Sequence, residues 1–173
     1  DVGTVRCDPI VTDFLRGGPR RTIRSVVAEW QGTGDSWRAY AWRWAACELL
    51  ACNPNYSHRF AEYGRQLMRQ DNVSFEDFWG RQSVCAAFEF QQLIANVGVG
   101  YNHALAAWDW DADFHVPKPG ESVSVRVMAR RGWQPSTLKV TAGRVYDYAN
   151  QGQWRVDLYR PAISANGWPR GEG

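Results

Sequence analysis

Between Trp37 and Cys52 the apolar side chains Trp37, Tyr40, Trp42, Trp44, Leu49 and Leu50 point all round a helical wheel, and only Arg38, Arg43 and Glu48 are charged. A helix apolar on most faces belongs at the centre of a core, so the pattern predicts a central helix here. Asp35 or Ser36 would cap its start, and Asn53-Pro54 would end it. A second, amphipathic helix opens at Ser57, with Phe60, Tyr63, Leu67 and Met68 on one side and Arg59, Arg65 and Arg69 spread over the rest. Ser74 followed by Asp77 has the form of a capping box. The series Phe75, Phe78, Trp79, Cys85, Phe88, Leu93, Ile94 and Val97 then carries helix to about Asn96, restarting at Ser83 after Gly80. Gly98-Val99-Gly100 ends it, and Asn102 caps one last short helix.

The flanks read differently. Residues 1–20 lack a sustained period and run into Gly17-Gly18-Pro19, which predicts an extended arm ending in a turn. Thr22 to Trp30 fits either a helical face or a strand, because Ile23, Val26, Val27 and Trp30 have helical spacing while the content is β-branched. Beyond Pro117 the period shortens to two. Val123, Val125 and Val127 alternate with Ser124, Arg126 and Met128; Leu138, Val140 and Ala142 begin a second strand with Gly143 as a bulge; Trp154, Val156 and Leu158 alternate with Arg155, Asp157 and Tyr159 in a third. Helices first and an antiparallel meander last make an α+β plan. The expectation is one domain over 1–173, mainly helical from 36 to 108, with antiparallel strands from 121 to 160 and a loose tail from 161 to 173.

Composition sharpens this picture in two places. The chain is 45% apolar and 22% charged, ordinary for a globular protein, but ten Trp and 14% aromatic residues in 173 exceed what a core of this size needs. Some of that aromatic surface is expected to face a partner. Of the 20 basic residues only Lys118 and Lys139 are Lys, and Arg beside Trp and Tyr is the composition of a contact surface. A net charge of +2 is a weak footprint for nucleic acid, and no apolar run reaches the about 20 residues of a membrane span. Cys7, Cys47, Cys52 and Cys85 permit two disulfides; Cys47 and Cys52 are poorly placed to join each other, so pairing with Cys7 and Cys85 is expected if they form. Together with a start at Asp1 instead of Met, this leans towards a secreted or periplasmic protein.

The densest chemistry lies in His103-Ala-Leu-Ala-Ala-Trp108-Asp109-Trp110-Asp111-Ala112-Asp113-Phe114-His115. In an extended backbone Asp109, Asp111, Asp113 and His115 share one face and Trp108, Trp110, Ala112 and Phe114 the other. Such a face would suit a hard or borderline divalent cation, with His103 folding back, although Phe114 and Gly120 stand where a calcium loop needs Gly and Glu. Otherwise no cofactor is expected. Glu48 and Glu89 each sit among apolar neighbours, where desolvation suits a general acid; with Asp109 or Asp111, Glu89 would make a glycoside-cleaving pair. The short fragments Cys47-Glu48-Leu49 and Val84-Cys85-Ala86-Ala87-Phe88-Glu89 locally resemble pieces of animal-type lysozymes, with a different spacing between them and half the cysteines. Arg126, Lys139, Arg144, Tyr146, Tyr148, Arg155 and Tyr159 on the strands have the chemistry of a ribonuclease-like face.

The reading these features favour is a binding or assembly protein that contacts another protein or a glycan through Trp110, Trp133, Trp154, Arg126 and Arg155, with Trp168 as a further exposed candidate. A hydrolase built on Glu89 and the 109–115 segment is the alternative, and a ribonuclease-like protein the third.

Overall fold

In the computed structural model the described residues are 8–28, 36–69, 73–98, 100–129, 131, 133–155, 159 and 161–164. The chain divides into two compact units, one of residues 1–112 with 130–135, the other of 113–129 with 136–173.

The first unit is helical: α1 Pro9–Arg16, α2 Ile23–Ala28, α3 Trp37–Cys52, α4 Ser57–Met68, α5 Phe75–Trp79, α6 Gln82–Asn96 and α7 His103–Ala106. Helix α3 is the hub, packing against α1, α2, α4, α6 and α7. Its buried set, Ala39, Ala41, Trp42, Ala45, Ala46, Leu49 and Leu50, explains that role. The alanines bring neighbouring backbones close, while Trp42 fills the centre and meets Phe90 of α6 at 6.1 Å between rings. Helix α6 contributes Ala86, Phe90, Leu93 and Ile94, spaced three and four apart, so one stripe faces the core.

The helix starts follow local capping. The Ser36 hydroxyl accepts from the Ala39 amide, Ser74 from Asp77 and the Asn102 side chain from Leu105, each replacing a partner that the first turn lacks. The arm expected over 1–20 instead contains α1. Asp8 caps it by accepting from the Ile10 amide, Pro9 fits the first turn, and Val11 and Leu15 are buried. Arg16 then donates to the Val97 carbonyl at 2.6 Å, tying α1 to the end of α6. The ambiguous stretch after Thr22 is helical over Ile23–Ala28, where Ile23 and Val26, three apart, are both buried beneath one face; Trp30 lies outside the described residues.

The second unit corrects the expected meander. Among its described residues the only sheet is antiparallel β1 Gln153–Trp154 with β2 Ile163–Ser164, plus one parallel bridge between His115 and Leu138. Val123 to Met128 and Val140 form no strand despite their alternation. A period of two makes a strand only when one face is covered, and here Val127 and Val140 stay mostly in solvent while Val145 is 93% exposed. Gly143 is a turn position rather than a bulge: its φ of 80° lies in the left-handed region and the Arg144 amide closes the turn onto the Thr141 carbonyl at 3.2 Å. The basic and aromatic residues assigned to a strand face therefore share no sheet. No helix among the described residues is long and apolar enough to cross a membrane.

Candidate functional site

The site grows from one misfit in the apolar stripe of α6. Glu89 is 4% exposed between Ala86 and Phe90 on one side and Leu93 on the other, and a buried carboxylate must find hydrogen-bond donors. It finds five. Asn53 Nδ2 donates to Oε2 at 2.5 Å and the Trp108 amide at 3.3 Å, while Asn55 Nδ2, the Tyr56 hydroxyl and Trp110 Nε1 donate to Oε1 at 2.8, 2.9 and 2.6 Å. No ion pair found among the described residues includes Glu89.

The donors come from two segments whose local chemistry places them. Asn53 ends α3, and its Oδ1 accepts from the Asn55 amide at 2.9 Å, a side-chain-closed turn that Pro54 favours by leaving the helix. That turn aims Asn53 Nδ2, Asn55 Nδ2 and Tyr56 at α6. Asn55 uses its second proton on the Trp108 carbonyl at 2.9 Å, so the same turn also holds residues 108–110. Burial and the neighbouring Glu89 charge push the Tyr56 hydroxyl far above its ordinary range, and raise Tyr101 to about 12 for the same two reasons.

Fixing residues 108–110 fixes an aromatic face. Trp110 meets Phe88 at 5.7 Å and 80°, Trp108 meets Phe88 at 5.1 Å and 75°, and the two indoles lie 6.0 Å apart. Edge-to-face contacts of this kind add to burial. Trp110 nevertheless remains 40% exposed and Phe88 is exposed beside it, so the anchored rings present an open surface.

The other predicted residues are dispersed. Asp109 and Asp111 are exposed in this unit, and Trp110-Asp111 form a turn, so the segment does not run as one strand. Asp113 and His115 belong to the second unit; both are exposed, and His115 Nε2 stands 3.9 Å from Glu121 Oε1. Trp133 is 67% exposed in the first unit, and in the second Trp154 on β1, Arg126 and Arg155 are exposed. Trp168 and Cys7 lie outside the described residues. Cys47, Cys52 and Cys85 are free thiols, which removes any disulfide among these three.

A second constellation was not anticipated as a unit. Glu48 and Cys52, one helical turn apart on α3, meet His103 at the start of α7, with ligating atoms all within 4.8 Å. His103 is 1% exposed; its Nε2 lies 3.3 Å from Glu48 Oε1 and its Nδ1 is buried without a partner. Its ring stands edge-on to Tyr101 at 5.2 Å. The His103 hydrogen bond lowers Glu48 below the usual carboxylate range, whereas burial followed by the Glu48 charge raises the thiols of Cys52 and Cys47.

Sequence reasoning singles out Glu89, Trp108 and Trp110; it reads Asn53 only as part of a helix stop and does not single out Asn55 or Tyr56. The signal available was Asn-Pro-Asn-Tyr itself, two amides and a phenol crowded into one turn directly after a helix that is apolar on most faces. No family model, curated protein or solved structure matches this chain.

Proposed function

We propose that this chain is a binding or assembly protein with a contact surface centred on Trp110 in the helical unit, and with Trp133 of that unit and, separately, Trp154, Arg126 and Arg155 of the second unit as further contact residues. The supporting observation is that Trp110 is anchored through its indole N–H to the buried Glu89, at 2.6 Å, while much of its ring stays open to solvent. A ring held in this way loses little conformational freedom when a partner covers it, which is the economy of interface hot spots. Exposed Asp109 and Asp111 on either side of Trp110 in the chain favour a partner with Arg or Lys side chains, since carboxylates and aromatic faces both attract a guanidinium. A glycan stacking on Trp110 is the second kind of partner this chemistry would accept. An extracytoplasmic setting belongs to the same proposal, and the three free thiols add nothing to it.

The hydrolase alternative draws less support. Five donors already occupy the oxygens of Glu89, and the residue is closed off from solvent, so a substrate oxygen has no open path to it.

The test is retention of the folded protein on arrays of immobilised Arg-rich and Lys-rich peptides and of oligosaccharides. Binding should weaken by roughly ten-fold or more in Trp110→Ala, in line with loss of a hot-spot aromatic, with the far-ultraviolet spectrum unchanged. Retention by oligosaccharides alone would reassign the partner, and equal affinity of Trp110→Ala and the parent would overturn the proposal.

A further inference from the structure

We infer that Glu48, Cys52 and His103 form a binding site for a zinc-class divalent ion with one coordination position open to solvent. The three side chains supply one carboxylate, one thiolate and one imidazole, a mixed set that suits zinc or cobalt and disfavours calcium and magnesium. Their arrangement is compatible with a tetrahedral ion. Bonds of about 2.0–2.2 Å from zinc to nitrogen and oxygen set those two ligand atoms about 3.3 Å apart, and His103 Nε2 lies 3.3 Å from Glu48 Oε1. Glu48 and Cys52 share a helical face at a spacing of four, so the rigid α3 delivers two ligands without loop rearrangement.

The burial of His103 points the same way. The ring is almost wholly inside the protein with Nδ1 unpartnered, although buried polar atoms are ordinarily satisfied. A hydrogen bond to Glu48 is a small return for burying a ring this completely, and a metal bond at Nε2 would add to that return on the one nitrogen that faces Glu48. Tyr101, packed edge-on, holds the imidazole in place. On the other side Cys52 is exposed and Glu48 is half-buried, so an ion can enter from solvent and its fourth ligand is water. Binding would release the Cys52 thiol proton to solvent, and the remaining imidazole proton would reside on Nδ1.

Cobalt(II) titration of the reduced 173-residue chain reads the site directly, because only a cobalt–thiolate bond gives an intense near-ultraviolet charge-transfer band. The expected result is saturation at a single equivalent, with the band displaced by zinc. Cys52→Ser should abolish the band, Glu48→Gln should weaken affinity by about ten-fold or more, and Cys47→Ser should leave both unchanged. Cys52 and Cys47 are exposed, so these variants fold even if a His103 substitution does not. Absence of the band in the parent, its survival in Cys52→Ser, or its loss in Cys47→Ser would each overturn the site.

Discussion

Asn53 and Glu89, 36 positions apart in the chain, meet through a buried amide-to-carboxylate hydrogen bond of 2.5 Å that joins the end of α3 to the middle of α6. Asn53 simultaneously closes its own turn by accepting from Asn55, so one side chain ends a helix, shapes the loop after it and docks that loop on a neighbour. The aromatic face at Trp108 and Trp110 rests on this junction.

Glu89→Gln is expected to destabilise the protein by about 2–4 kcal/mol in chemical denaturation, because the new amide turns a donor towards donors and leaves buried groups unpaired. Asn53→Ala should cost about 1–3 kcal/mol by the same reasoning with fewer groups affected. Stabilities within a few tenths of a kcal/mol of the parent would show that the cluster contributes nothing.

Trp110→Phe keeps a ring against Phe88 and Trp108 but removes the indole N–H that reaches Glu89. A loss of about 1–2 kcal/mol follows, since the bond is made to a buried carboxylate. The double-mutant cycle with Glu89→Gln should give a non-additive coupling, as expected for two residues in direct contact.

Stability should fall at alkaline pH. Burial, and then the charge on Glu76, raises the Tyr63 hydroxyl from its ordinary 10.0 to about 12, and Tyr56 is raised further. The unfolded chain releases these protons near pH 10 while the folded chain holds them, so the stabilisation is complete below pH 10 and declines as pH rises towards 12. Tyrosinate absorbance should show these hydroxyls ionising together with loss of the helical signal; their ionisation near pH 10 in the folded protein would contradict this.

Thiol titration of the unfolded, unreduced chain should find at least the three thiols of Cys47, Cys52 and Cys85. In the folded protein each should react more slowly than in the unfolded chain, because partial desolvation of the sulfur, and then the charge of Glu48 or Glu89 beside it, raises all three thiols. A titre of zero would contradict the free state of these three cysteines.

Limited trypsin digestion should cut first at Arg126, Lys139 and Arg144, which are exposed in chain that forms no strand, and only later within α3 or α6. Equal rates in the two units would show that the second is protected in ways its exposure does not reveal.

The sequence by itself determined the helical elements from Ser36 onwards. The information there is local: Ser36, Ser74 and Asn102 cap within one turn, α3 is apolar on most faces, and the apolar stripe of α6 repeats every three or four residues. It also marked Glu89 as a carboxyl in apolar surroundings. Only the tertiary structure decided what surrounds it, because Asn53, Asn55, Tyr56 and Trp110 approach through packing between segments 21 to 36 residues away. The same holds for His103 against Glu48, 55 residues apart. The failure of the alternating segments to become a meander has a related cause. Alternation states which side chains a strand would bury, but a strand also needs a surface to bury them against, and among the described residues Val127, Val140 and Val145 stay exposed.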